Sequence, residues 1–262
     1  MALELSGRHA LVCGGSEGIG LAAAQALAAR GASVTVLARR AERLKEVAAS
    51  LPAPDPSQGH GHVAADASDA AGLRAAVEAL AATRPVHILV NNTAGPPGGP
   101  AHAADPEAYV AVFRQHLVAG QVLVQAVLPG MRAAGWGRIV NVISTSVKEP
   151  IANLGVSNSI RGAVASWAKT LASELGPDGI TVNNVLPGYT RTQRLDQILA
   201  ERAAATGKPA EEIARGMLAT VPAGRFAEPA EVAAAIAFLA SPAAGYVNGI
   251  NLPVDGGRTK SL

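Results

Sequence analysis

Apolar residues fall along this chain in short unbroken runs, separated by longer stretches in which they recur at helical intervals. The runs at residues 9–13, 33–38, 86–91, 138–143, 180–185 and 249–254 are rich in Val, Ile and Leu. They lack the polar alternation of a strand with one wet face, so they predict strands covered on both sides, as in a parallel sheet. A shorter strand is predicted around 62–65, and helices over 18–30, 41–51, 70–83, 106–134, 157–175 and 229–239.

Parallel neighbours need a helical crossover, and right-handed crossovers put helices on both faces. The alternation therefore predicts an α/β fold: a doubly wound, mostly parallel, Rossmann-like sheet of about seven strands, with its ligand at the carboxyl ends of the strands. One dinucleotide-binding and catalytic domain spanning 1–262 is expected, because the loops at 52–61 and 95–105 are too short for domain linkers. The segment 189–226 is the one insertion large enough to form a lid.

Composition narrows the function. With 49% hydrophobic and 16% charged residues the chain is expected to be globular rather than disordered, and a net charge of +2 without basic clusters argues against a nucleic-acid partner. The single cysteine, Cys13, excludes an internal disulfide and, without CxxC spacing, the usual zinc site, which suits a reducing cytoplasm. No cleavable leader is evident in residues 1–20, and no continuous apolar run of about 18 residues is seen, so neither export nor a membrane partner is expected.

The predicted first strand runs into Gly14-Gly15-Ser16-Glu17-Gly18-Ile19-Gly20. Glycines here let backbone amides face a pyrophosphate at a helix start, where the dipole favours an anion. The second strand ends at Arg39 and Arg40, where an adenosine ribose would lie in this architecture. Arginine suits a 2′-phosphate, so NADP(H) is favoured over NAD(H), although Glu17 beside the expected phosphate argues the other way and both arginines could simply be solvated. Asp66 could accept from the adenine amino group or cap the next helix, and Asn92 closes the fourth long run.

These motifs together resemble the short-chain dehydrogenase/reductase family, from about Gly7 to Arg258. The glycine turn is similar to the family's TGxxxGxG, with Cys13 in place of Thr. Asn91-Asn92-Thr93-Ala94-Gly95 is similar to its NNAG with one residue inserted. Arg138 to Ser144 resembles the strand bearing the catalytic serine, Pro187-Gly188-Tyr189-Thr190-Arg191-Thr192 the PGxxxT loop, and Val254-Asp255-Gly256-Gly257 the final DGG. The resemblance is to a divergent branch like the β-ketoacyl reductases. It implies cofactor contacts from Gly14, Ser16, Gly18, Ile19, Gly20, Arg39, Arg40, Asp66, Asn92, Arg161, Pro187, Gly188 and Thr190, and a homotetramer or dimer.

The catalytic positions depart from the family. Counting from Ser144, and back from Lys169, the Tyr-x-x-x-Lys pair becomes Ser157 and Arg161, and the helical Asn becomes His116. A phenol near pKa 10 can be lowered by a neighbouring ammonium, whereas a serine hydroxyl is a far weaker acid. Arg161 can bind ribose hydroxyls but cannot deprotonate in a relay. His116, with an ordinary pKa near 6.5, could move the proton directly or through water, or could be a helix residue with no such role. The expected catalytic set is thus Ser144, Ser157, Arg161 and His116, with Tyr189 a further possible acid or a packing residue.

Other candidates carry less. Cys13 reads as a small buried residue, His60 and His62 as a solvated turn without a third ligand, and Ser144, Ser157 and His116 lack the carboxylate and GxSxG elbow of a hydrolase. Two readings of function follow. One is an NAD(P)-dependent oxidoreductase moving hydride between nicotinamide and a carbonyl or alcohol carbon of a small molecule. The other is a dinucleotide-binding sensor or partner subunit with little redox activity. Leu195, Ile198, Leu199, Ile213 and Met217 in the lid suggest either a moderately hydrophobic substrate or helix packing.

Overall fold

A computed structural model describes residues 3–261, so the outermost residues of the expected domain, 1, 2 and 262, lie outside the described residues. Seven strands form one sheet: β1 His9–Cys13, β2 Ser33–Ala38, β3 Gly61–Ala64, β4 Ile88–Asn91, β5 Gly137–Val142, β6 Ile180–Pro187 and β7 Asn251–Val254. Their order is β3-β2-β1-β4-β5-β6-β7, and every pairing is parallel. The chain reverses its direction of growth between β1 and β4, which opens a crevice at the carboxyl ends of those strands.

The helices are α1 Gly18–Ala28, α2 Ala41–Ser50, α3 Ala70–Thr83, α4 Pro106–Phe113, α5 Ala119–Ala133, α6 Gly155–Leu175, α7 Gln193–Thr206, α8 Ala210–Leu218 and α9 Pro229–Leu239. Successive strand residues point to opposite faces. Val12, Val34, Val36, Ile88, Val90 and Val140 pack with Leu27 of α1, Leu44 of α2 and Ile236 of α9. Leu11, Leu37, Leu89, Ile139 and Val182 pack with Val77 of α3, Leu123 and Val127 of α5 and Ala168 of α6. Both faces are thus dry, which is why the strands read as continuous apolar runs.

The stretch 106–134 is not the continuous α-helix that its pattern predicts. A π turn, Arg114–Val118, separates α4 from α5. No Pro or Gly marks it, so nothing local in the sequence signals the inserted residue; such turns recur at functional sites. Pro129 lies inside α5 without ending it. The whole segment Pro106–Ala133 is long and apolar enough by composition to cross a membrane, although its apolar residues form no continuous run. Half of its most apolar window is buried in the fold, and Val122, Leu123, Val127 and Met131 pack under the sheet as in a core helix.

Between β6 and α9 the chain makes its excursion through α7 and α8. Leu195, Met217 and Phe226 are buried there, with Tyr189, Leu199 and Ile213 packed on them. Helix packing therefore accounts for much of the apolar stripe. Leu195 and Leu199 also line a groove of about 350 Å³ with Thr192, Asp196 and Phe226.

Candidate active site

The glycine turn closes the carboxyl end of β1. Gly14 and Gly18 have φ of 60° and 56°, a region that residues with a Cβ rarely adopt. Gly20 is required by a different constraint: a Cβ there would stand 2.1 Å from the Gly14 carbonyl oxygen and 2.9 Å from Asn92 Nδ2. Asn92 itself donates to that carbonyl at 3.4 Å, tying the end of β4 to the turn. Glu17, at the N-cap of α1, makes no side-chain capping bond, so it does not occupy the first-turn amides. Ser16 is buried and Ile19 half-buried beside them.

At the end of β2, Arg39 and Arg40 are both exposed. Arg40 pairs with Glu17 at 3.2 Å, so the acid that would oppose a phosphate is engaged by one arginine while the other remains outside that pair. Asp66 accepts from the backbone and hydroxyl of Ser68, each at 2.8 Å, and these bonds, with Arg39 nearby, hold its carboxyl below the usual range. The cap of α3 is Asp69, which accepts from Gly72, so the capping alternative for Asp66 falls to its neighbour.

Across the crevice, Ser144 lies two residues beyond the end of β5, and its Oγ accepts from the Ser146 amide at 3.1 Å, which leaves its hydroxyl proton to donate elsewhere. Ser157 lies in the first turn of α6, since that helix starts at Gly155, and Arg161 follows one turn later. Arg161 is buried, donates to the Val142 carbonyl at 2.8 Å and has no ion pair among the described residues. Burial pushes its pKa down to about 10, so it remains cationic at neutral pH.

His116 sits in the π turn, and its Nδ1 lies 2.5 Å from Thr93 Oγ1, while its Nε2 is buried without a partner. Burial, and then the charge of Arg161, push its pKa down to about 3, against a hydrogen bond to the Ala94 backbone. The ring is therefore neutral at physiological pH, and the ordinary value near 6.5 does not describe it. His116, Arg161, Asn91, Asn92, Thr93, Asn141 and Trp167 line a cavity of about 20 Å³, about the space of one water.

Two features of this cavity arise from contacts between distant segments. Thr93, the residue that lengthens the NNAG-like motif, is the partner of the His116 ring. Behind it runs an amide ladder: Asn91 donates to Asn141 at 2.8 Å, Asn141 to Asn184 at 2.9 Å and Asn184 to Asn251 at 2.8 Å. These four residues are register partners on β4, β5, β6 and β7. The last acceptor, Asn91 Oδ1, is buried and unbonded, so the aligned amides turn their negative end toward the cavity that holds Arg161. Repeated Asn near strand ends was the available signal, but only the register shows that they meet.

The loop after β6 completes the rim. Gly188 packs against Asp255 so closely that a Cβ would stand 2.7 Å from the Asp255 Cα, and Thr190 is buried, donating to the Gly188 carbonyl at 3.2 Å. Pro187 is the last residue of β6. Arg194 of α7 donates to the Pro96 carbonyl at 2.8 Å, linking the excursion to the loop after β4. Of the set-aside candidates, Cys13 is buried with its thiol pushed up to about 12 by desolvation, and His60 is bonded to the Val34 amide and the Pro52 carbonyl. His62 lies exposed in β3.

Comparison with known proteins agrees with this geometry. The family described as enoyl-(acyl carrier protein) reductase matches residues 14–259. L-xylulose reductase of Cavia porcellus is 36% identical over 258 residues, 98% of each chain. The NADPH-dependent reductase BacG of Bacillus subtilis (strain 168) is 31% identical over 268 residues, 98% of this chain and the whole of that relative. The crystal structure of L-sorbose reductase from Gluconobacter frateurii, complexed with NADPH and L-sorbose, aligns over the full length of both chains with a TM-score of 0.92 at 32% identity. By its parallel seven-stranded sheet, its glycine turn and these matches, the chain belongs to the short-chain dehydrogenase/reductase family.

Proposed function

We propose that this protein is an NADP(H)-dependent oxidoreductase that interconverts a carbonyl and an alcohol on a small molecule, with Ser157 and Arg161 standing where the family carries Tyr and Lys. The observation that carries the reading is the buried, unpaired guanidinium of Arg161 in a cavity that reaches Asn92, the residue tied to the glycine turn. A cation kept there without a counter-charge is costly unless a ligand uses it. The uncapped start of α1 and the glycine contacts that exclude a Cβ fit a pyrophosphate. The relatives named above are reductases, which favours an enzyme over a binding protein without turnover.

Gly14, Ser16, Gly18, Ile19 and Gly20 would hold the phosphates, Arg39 and Arg40 the adenosine end with Asp66, and Asn92, Arg161, Pro187, Gly188 and Thr190 the nicotinamide half. When bound, the dinucleotide supplies or accepts the hydride. Ser144 donates a hydrogen bond to the substrate oxygen, and Arg161 supplies positive charge where negative charge grows on that oxygen. The proton arrives from Ser157, from water, or through His116 acting as a neutral relay between its two ring nitrogens. One domain is proposed, with 189–226 as its lid, working in the cytoplasm as a homo-oligomer.

Nucleotide preference tests the adenosine end. NADPH should bind more tightly than NADH by fluorescence titration, and Arg39→Ala should weaken NADPH by about tenfold while sparing NADH, because a charge-assisted bond to phosphate is worth roughly 1.5–3 kcal/mol. Tighter binding of NADH, or no effect of Arg39→Ala on the ratio, would contradict it.

A further inference from the structure

A second arginine, on the segment that follows β7, reaches the residue next to Ser144. Four backbone bonds fix that segment. The Asp255 carboxylate accepts from the amides of Gly257 and Thr259 at 3.0 and 2.8 Å, and Glu149 Oε1 accepts from those of Lys260 and Ser261 at 2.6 and 2.8 Å. Both carboxylates are thereby occupied by main chain. Between them Arg258 turns back toward the end of β5.

Its guanidinium stacks on the Tyr189 ring, 4.9 Å from the centroid, and donates to Thr145 Oγ1 at 3.4 Å. Thr145 is the residue after Ser144. Arg258 has no ion pair among the described residues, and its Nε is buried without an acceptor. A half-buried guanidinium with one long hydrogen bond and an orphaned N–H is under-satisfied, and groups of this kind mark places where an acceptor belongs. Packing against an aromatic face and tethering of the backbone on both sides keep the fork in place before any ligand arrives.

We propose that Arg258 recognises a carboxylate on the substrate, so that the carbonyl or alcohol compound reduced or oxidised at Ser144 is a keto or hydroxy acid. This rests on the oxidoreductase reading and names its substrate class. One guanidinium with one neighbouring hydroxyl matches a singly charged, two-oxygen group; a phosphate dianion would need further donors, which these contacts do not supply. The planar fork of arginine also fits the carboxylate plane.

The test compares levulinate with methyl propyl ketone, which share a methyl ketone and differ in the carboxylate. Binding to the wild-type protein saturated with NADP⁺ is measured by calorimetry and turnover with NADPH by absorbance. Levulinate should bind at least about tenfold more tightly than the neutral ketone, the preference should vanish in Arg258→Met and return in part in Arg258→Lys, with folding of each variant checked by circular dichroism. Equal binding of the two compounds by the wild type, or a preference that survives in Arg258→Met, would overturn the proposal. A preference seen in binding but with no turnover of either compound would leave the anion subsite standing and count against the oxidoreductase reading alone.

Discussion

Replacing Arg161 with methionine is expected to lower kcat/KM by about 10² to 10³, the usual result of deleting one preorganised donor that faces developing charge. The same change should leave the melting temperature unchanged or raise it. Arg161 is buried, has no ion pair among the described residues and is held by one carbonyl. Removing such a charge in favour of an apolar side chain of similar length relieves a desolvation penalty of several kcal/mol. Opposite movements of rate and stability would identify a residue kept for chemistry rather than for folding. Parallel losses of both would mark Arg161 as structural and remove it from the proposed site. Arg161→Lys should recover part of the rate, since the charge is restored without the planar fork.

The second large effect is expected at Gly20. A methyl group there would overlap the Gly14 carbonyl oxygen at 2.1 Å, so in Gly20→Ala the turn and the start of α1 must move apart. Displacing a binding group by about 1 Å can cost on the order of a hundredfold, and NADPH affinity should fall by that much. The clash is with main chain rather than with a flexible side chain, so stability should fall as well, by about 1–3 kcal/mol. Excess NADPH should therefore rescue the variant's melting temperature far less than the wild type's. Wild-type affinity in Gly20→Ala would mean that the dinucleotide does not lie over this turn.

These expectations draw on parts of the molecule that were unequally legible in the sequence. Strands β1 and β2 begin and end where their apolar runs do, because both sheet faces are buried and the signal is local. The glycine turn was equally clear, since its spacing reflects backbone conformation within one loop. The proposed counterparts of the family's catalytic pair can be counted along α6, where a fixed helical pitch relates Ser157 to Arg161.

Less legible was everything set by contact between distant segments. The π turn that carries His116 depends on packing rather than on any breaker residue. The neutral state of that ring comes from burial and from Arg161, two properties that residue type cannot convey. The Asn ladder requires the register of four strands, and the approach of Arg258 to Thr145 joins residues more than a hundred positions apart. In each case the side chains were visible and their meeting was not.

Hydride is expected to pass between a nicotinamide dinucleotide and a carbonyl carbon in the crevice at the carboxyl ends of β1 and β4, beside Arg161. Mass spectrometry of the product formed with NADPH deuterated at the transferable C4 position tests it most directly, using ketones, ketoses, keto acids and β-ketoacyl thioesters as acceptors. One deuterium should appear on the new carbinol carbon of at least one acceptor, and that incorporation should be lost in Arg161→Met. Tight NADPH binding with no deuterium in any product would contradict the claim and favour a protein that binds the nucleotide without using it.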